Sequence, residues 1–431
     1  MSNAMNVNAS YLKKPTHTES GVVGICIKPP AVAAGSRPIH MALVLDESGS
    51  MEGDRIESVK KTLTVLVQRL SVGDKISVVS FATDAKCVLK GLVIDESTRA
   101  TAIDAAATLA AGGGTNMEAG ISMLGSFLAD TGRPDAVVIL TDGHVNHGLQ
   151  TAAGLNSVMQ AYASGVPVYT LGYGADHNGG LLRSLASRSN GTYTFIGTEI
   201  VLPAAIGDLF GSLQNEVAKQ AAICYPATWT CEEPEQQVAG RFTVGSLVAE
   251  KSTWVMLGVP AGDTATAVEL VYTVDGVENR VAVVVEDGGL PLLDMEVQML
   301  RCATAKTLDA VVAALTSRNN ALAKQLLEAA LALFASSPAA ACPLAIHMKA
   351  QLDEMKETVD QAPSPALLLH TTSVAANYTS QRGVSMGGGG GGGAPLSRAP
   401  TNPFGSPGMA RATTDMTAQY SQGGGDPHVV C

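Results

Sequence analysis

The chain has 431 residues, 46% of them apolar but only 4% aromatic, which is enough for two or three folded units built on an aliphatic, Val/Leu/Ala-rich core. Its formal net charge of −11 argues against nucleic acid or anionic lipid as the main partner, since either demands a basic patch that the sequence does not contain. No uncharged apolar run approaches the roughly 20 residues of a membrane span, and Lys13-Lys14 precedes no continuous apolar stretch of the signal-peptide kind.

Seven cysteines, scattered and without a CxxC pair or a nearby His at zinc spacing, read as reduced thiols, Cys224 and Cys231 included. A soluble, cytoplasmic protein is therefore expected. Ser2-Asn3-Ala4-Met5 has the form of an expression scar ahead of a native start, and residues 1–18 are expected to be flexible. Within residues 19–38, Gly21–Lys28 reads as a strand stopped by Pro29-Pro30 that pairs with a later β unit.

From residue 39 to residue 219, short β-branched runs alternate with amphipathic helical segments, the pattern of a parallel sheet covered on both faces. The expected strands are Met41–Leu45, Lys75–Phe81, Ala136–Leu140 and Pro167–Leu171, with Thr192–Ile196 at an edge and Cys87–Val93 returning beside the second. The helix Asp54–Leu70 carries Ile56, Val59, Leu63, Leu66, Val67 and Leu70 on one face. A second helix, Thr98–Ala111, stops at three glycines and a third starts after Asn116, so Thr115 lies in the loop entering a helix. Helices Gln150–Ser164, Gly180–Ser187 and Ile200–Lys219 complete a doubly wound, Rossmann-like α/β domain with a mostly parallel sheet.

In residues 220–290 the apolar period changes to two, with a hairpin at Asp275-Gly276 and with Trp229 and Trp254 in its core, which predicts an antiparallel β-sandwich unit. Residues 291–378 hold helices at Leu293–Leu315, Ala321–Phe334 and Leu344–Val359. Residues 379–431, with Gly387–Gly393 and repeated Pro and Ser, are expected to be a flexible tail.

The chemistry concentrates in the first domain. Asp46-Glu47-Ser48-Gly49-Ser50, at the end of the first parallel strand, places a carboxylate and two hydroxyls on one turn, an oxygen cage for a hard cation. Thr115, after three glycines, and Asp142, in Thr141-Asp142-Gly143, complete it if their loops converge where parallel strands end. A plainer alternative is that Asp46, Ser48 and Ser50 only cap the helix starting near Asp54.

Asp-x-Ser-x-Ser at a strand end, a Thr in a Gly-rich loop and a Thr-Asp-Gly after a later strand closely resemble the metal-ion-dependent adhesion site of von Willebrand factor A (VWA) domains. The resemblance implies that the Ser48, Ser50 and Thr115 hydroxyls coordinate Mg²⁺ directly, or Mn²⁺ or Ca²⁺ in its place, while Asp46 and Asp142 act largely through water. It also implies a protein partner whose Asp or Glu carboxylate fills the remaining position. Glu47, Glu52, Gly114, Asn116 and His144 form the expected partner-facing rim. The sequence after Lys219, with the early strand ending Cys26-Ile27-Lys28-Pro29-Pro30, resembles the Vwaint region that accompanies VWA in a set of intracellular proteins. A non-enzymatic, metal-dependent protein-binding module is thus the leading expectation. The alternatives are an assembly subunit making permanent contacts, the upstream part of a Hint-type precursor cut at a cysteine, and a metal-dependent hydrolase with His144 as base.

Overall fold

Strands β1 (Asn6–Lys13) and β2 (Gly21–Lys28) open the chain, which the computed structural model describes over residues 5–14, 16–31, 37–233, 238–263, 267–361, 364–381 and 407–422. The α/β domain follows as β3 (His40–Asp46), a 3-10 turn (Gly49–Met51), α1 (Asp54–Arg69), β4 (Lys75–Phe81), β5 (Ala85–Val93), α2 (Glu96–Ala107), α3 (Met117–Thr131), β6 (Ala136–Thr141), α4 (Ala152–Ala163), β7 (Val168–Tyr173), α5 (Gly179–Ser187), β8 (Tyr193–Ile196) and α6 (Val201–Gln214). Its sheet has the order β5-β4-β3-β6-β7-β8, parallel except for the hairpin partner β5.

Every residue of β3 is buried, because both sheet faces are covered by helices. Met41, Leu43 and Leu45 enter the core beneath α1, α2 and α6, whereas Ala42 and Val44 enter the core beneath α3, α4 and α5. This division is the period-two alternation of a strand with two hydrophobic sides. The helix after β3 and the helix after β6 therefore leave on opposite faces and open a crevice at the carboxyl ends of these two neighbouring strands.

The second unit contains β9 (Glu216–Cys224), β10 (Thr230–Cys231), β11 (Arg241–Val248), β12 (Thr253–Val259), β13 (Val268–Val274), β14 (Val277–Val283) and β15 (Val285–Glu286). Two sheets, β10-β12-β2-β1-β15 and β11-β9-β13-β14, face each other across a core of Val23, Ile25, Ile27, Ile223, Leu247, Val255 and Leu270. Helices α7 (Leu292–Thr316), α8 (Asn320–Ser336), α9 (Pro343–Gln361) and α10 (Pro365–Ser380) share a further core, and α11 (Pro407–Gln422) packs on α6 and α1. Helix α7 lies so close to β2 that a Cβ at Gly24 would fall 2.9 Å from Met295 Sδ.

Several expectations are corrected. Residues 1–18 are not a flexible terminus throughout, because Val7, Ala9 and Tyr11 alternate with polar residues in β1, which lies between β2 and β15. The expected tail contains the docked helix α11, which seats Met409, Met416 and Tyr420 in buried positions. The helical region has a fourth member, α10, whose Thr371, Thr372, Ser373 and Asn377 are all buried. The helix expected to reach Lys219 stops at Gln214, and the chain turns at Asn215 into β9. Ser2-Asn3-Ala4, Gly387–Gly393 and Cys431 lie outside the described residues.

Candidate metal centre

Asp46 is the last residue of β3 and Asp142 follows the last residue of β6, so two carboxylates meet at the crevice between these adjacent strands. Both are 0% exposed. Asp46 Oδ1 accepts the Ser48 amide at 2.7 Å, closing a tight turn, and Asp46 Oδ2 accepts the Thr141 hydroxyl. Ser48 Oγ and Ser50 Oγ lie 3.0 Å apart, and Ser50 Oγ donates to Asp142 Oδ1 at 2.6 Å. None of these side chains caps a helix: the cap of α1 is Gly53, and neither that helix nor the 3-10 turn before it has a side-chain capping bond.

Thr115 reaches the same place from the glycine loop. A Cβ built on Gly143 would sit 3.4 Å from Ser50 Oγ and 3.6 Å from Thr115 Oγ1, so the two hydroxyls flank one small space that glycine leaves open. The Thr115 amide donates to Asn146 Oδ1 at 2.8 Å, and its hydroxyl makes no hydrogen bond among the described residues. Backbone bonds stitch the loops together: Gly112 N donates to Glu47 O at 2.7 Å and Gly49 N to Gly113 O at 3.0 Å.

Burial raises the pKa of Asp46, the charge of Asp142 adds to the rise, and the hydrogen bonds from Thr141 and Ser48 oppose it. The guanidinium of Arg55, the second residue of α1, pairs with Asp142 Oδ2 and extends toward the exposed Asp176 at 3.7 Å. Two buried carboxylates thus face one guanidinium and three hydroxyls, a net negative charge that would attract a dication and, once it is bound, leave an excess positive charge for a further anion. The described residues hold no group of three or more His, Cys, Asp or Glu that could hold a metal ion, and the donors gathered here are two carboxylates and three hydroxyls, the oxygen type a hard, water-retaining ion accepts. By charge and donor type, Asp46, Ser48, Ser50, Thr115 and Asp142 fit such an ion.

The expected rim divides. Glu52 and His144 are exposed, and Gly114 and Asn116 are half-buried. Glu47 does not belong to the rim: only 4% exposed, it accepts the Ala110 amide at 2.8 Å and pairs with Lys86 at 3.0 Å, pinning the glycine loop against the first turn. The Asn116 side chain is committed to capping α3 through the Ala119 amide and to the Thr83 carbonyl. Sequence reasoning missed Arg55, Thr141 and Asn146. Thr141 was signalled by its place beside Asp142, but nothing local marked the other two.

The sheet order, the crevice and this hydroxyl-rich constellation together define a Rossmann-like domain with a cation-type site at its carboxyl edge. Residues 39–195 match the family model of the von Willebrand factor type A domain, and the chain accordingly carries a VWA domain. Curated relatives include the uncharacterized protein sll0103 of Synechocystis (34% identity over 41% of this chain and 42% of that protein) and the uncharacterized protein YfbK of Escherichia coli (28%, over 45% and 35%). Another is the inter-alpha-trypsin inhibitor heavy chain H1 of Sus scrofa (25%, over 44% and 22%). The matches span less than half of each of these relatives. Two solved structures share the fold over most of this chain. A von Willebrand factor type A protein from Catenulispora acidiphila has a TM-score of 0.63 at 15% identity, over 86% of this chain and 96% of its own. The ArnB paralog VWA2 from Sulfolobus acidocaldarius has a TM-score of 0.59 at 14% identity, over 88% and 99%.

Proposed function

We propose that this protein is a non-catalytic, Mg²⁺-dependent binding module that captures an Asp or Glu side chain of a partner protein at the carboxyl edge of its VWA sheet. VWA domains are protein-interaction modules, and the observation that carries the finer reading is the pair of fully buried carboxylates, Asp46 and Asp142, behind the Ser48, Ser50 and Thr115 hydroxyls. A bound dication would supply an electrophilic position for an incoming carboxylate oxygen. The chain's own residues do the rest. Asp46 and Asp142 provide the negative charge that retains the ion, while neutral hydroxyls leave its charge incompletely neutralised and able to attract a further anion. Gly143 keeps the approach clear of side-chain atoms, Glu47 fixes the glycine loop, and the exposed Glu52 and His144 lie where they can select the partner's surroundings.

Calorimetric titration with Mg²⁺ and Mn²⁺ tests the metal step. Uptake of one ion is expected, lost in Thr115→Ala and Asp142→Asn with the thermal melt retained. Partner capture from native lysate with Mg²⁺ and with EDTA tests the second step. No uptake of either ion by the pure protein, or capture of the same partner in EDTA, would refute the proposal.

A further inference from the structure

One cation already sits at the candidate metal centre, and it belongs to the chain itself. Arg55 Nη1 pairs with Asp142 Oδ2 and donates to the Ser50 carbonyl at 3.4 Å, while Ser50 Oγ holds the other oxygen, Oδ1, at 2.6 Å. Both oxygens of Asp142 are therefore engaged, and its charge reaches the crevice reduced by a neighbour of opposite sign. Asp46 differs. Its partners are the Ser48 amide and the Thr141 hydroxyl, and among the described residues it forms no ion pair.

On the metal-dependent reading proposed above, we infer that Arg55 is the specificity-determining residue of this site. Its fixed positive charge weakens the hold of Asp142 on a dication and strengthens the pull of the loaded site on a partner's carboxylate.

The seat of the guanidinium is built into the fold. A Cβ at Gly174, just after β7, would lie 3.0 Å from Arg55 Nη2 and 3.3 Å from its Cζ, so glycine lets the planar group lie against the backbone there. The φ of +70° at Gly174 favours glycine as well. The Gly174 amide donates to Ile196 O at 2.9 Å, which anchors that turn to β8. Asp176, in the same turn, lies 3.7 Å from Nη2 on the solvent side. The Arg55 side chain is 30% exposed, against 0% for Asp142 and 79% for Asp176. Water screens the outer pair more than the inner one, so the charge of Arg55 acts chiefly on Asp142.

Two effects of opposite sign follow from this one side chain. Asp46 and Asp142 supply two negative charges and Arg55 one positive, so a bound dication would bring the group to a single positive charge. Without Arg55 the same ion would leave it neutral, holding the metal harder and attracting a carboxylate less. Glu47 does not alter this balance, because it is paired with Lys86 and bonded to the glycine loop. A residue that only held α1 in place would move both affinities in the same direction.

The test uses the full chain with Mn²⁺ as the metal, acetate as the anion and acetamide as its neutral control. Calorimetry reads the Mn²⁺ affinity, and water-proton relaxation by the bound Mn²⁺ reads the displacement of its water by acetate. Relative to the parent, Arg55→Met should bind Mn²⁺ about ten-fold more tightly and, once loaded, acetate about ten-fold more weakly, with acetamide inert. Arg55→Lys, which keeps the charge, should stay close to the parent in both. Asp176→Asn removes an exposed carboxylate that offsets Arg55, so it should shift both affinities the other way by about two-fold, and it decides the matter if Arg55→Met does not fold. Any pattern in Arg55→Met other than tighter metal with weaker acetate, or Arg55→Lys behaving as Arg55→Met does, would overturn the inference alone. A parent that takes up Mn²⁺ but loses no water to acetate would overturn it together with the capture of carboxylates, and a parent that takes up no Mn²⁺ together with the metal centre itself.

Discussion

Asp46 is buried beside Asp142 and, among the described residues, has no cation of its own. Because its pKa is raised in the fold, by burial first and by Asp142 as well, the folded state holds this proton more tightly than the unfolded chain does. The stability this provides is present below the ordinary carboxylate range and lost as the pH rises through the folded value. The opposite term comes from His40, which burial and the charge of Lys75 push down to about 4; its contribution is present above the unfolded value of 6.5 and lost as the pH falls from there toward about 4. Near pH 7.5 His40 is neutral in both states, and the cost of Asp46 stands alone. In EDTA at that pH, Asp46→Asn should melt a few degrees higher than the parent, a gain on the order of 1 kcal/mol, measured by calorimetric scanning. Saturating Mg²⁺ should raise the parent and leave the variant where it was. A variant less stable than the parent in EDTA would mean that the Thr141 and Ser48 bonds outweigh the buried charge. At this scale the convergence of Asp46, Ser48, Ser50, Thr115 and Asp142 on one crevice was legible, because Asp, Ser and Thr at strand ends and before a helix have few shared uses. Glu47 was misplaced because an acidic residue within such a turn looks solvated, whereas its partners, Ala110 and Lys86, come from distant segments.

Among the elements, α11 is attached with the least sequence signal and the most specific contacts. Its buried residues, Met409, Thr413, Met416 and Tyr420, recur at helical spacing and seat on α6 and α1. Approach to α6 is close because position 207 is glycine: a Cβ there would lie 2.9 Å from Ala412 O and 3.0 Å from Met416 Cβ. Tyr420 Oη meets Ser58 Oγ at 3.0 Å beneath the Lys61 ammonium, and Arg69 pairs with Asp415 at 3.0 Å. Losing the buried Met416 side chain costs roughly 2–5 kcal/mol, more than a single tethered helix on a shallow groove can spare. Met416→Ala or Gly207→Val should therefore undock α11 without unfolding the sheet, seen as rapid amide exchange across 407–422 while β3 and β6 stay protected. Loss of protection in the sheet as well would make α11 part of the domain core. Sequence periodicity located the parallel sheet because its β-branched runs are buried on both faces. It missed β1, whose Asn6, Asn8 and Ser10 dilute the apolar signal, and α10, whose buried Thr371 and Thr372 bond back to their own helix while Ser373 accepts the Phe195 amide.

Over the whole molecule, the sandwich joins the VWA domain at the edge away from the metal centre. Arg37, just before β3, pairs with Asp135 at 2.9 Å and with Glu216 at 2.6 Å, and Lys219 reaches Asp135 at 2.6 Å. Among the described residues the sandwich thus leaves the carboxyl edge uncovered, about 20 Å away along the strands. The sandwich and the helices are held together differently, by Arg301 of α7 and Glu233 after β10, both 0% exposed. Arg301 Nη2 and Nη1 reach Glu233 at 2.7 and 2.9 Å, with Gln298 Oε1 and Tyr378 O as further acceptors, so one guanidinium ties β10, α7 and α10 together. Removing one member leaves a buried charge without its counterpart, so Glu233→Gln or Arg301→Met should each cost about 3–5 kcal/mol. Replacing both, as Glu233→Leu/Arg301→Met, should recover most of that loss, because the desolvation cost disappears with the charges. Both tryptophans lie in this half of the molecule, so their fluorescence in a urea titration reports its unfolding directly. A double variant as unstable as either single one would show that the ion pair itself, and not the filling of its space, holds the two units. In all three variants Mg²⁺ uptake should match the parent, since the altered residues touch neither α1 nor the loops that carry Asp46, Thr115 and Asp142.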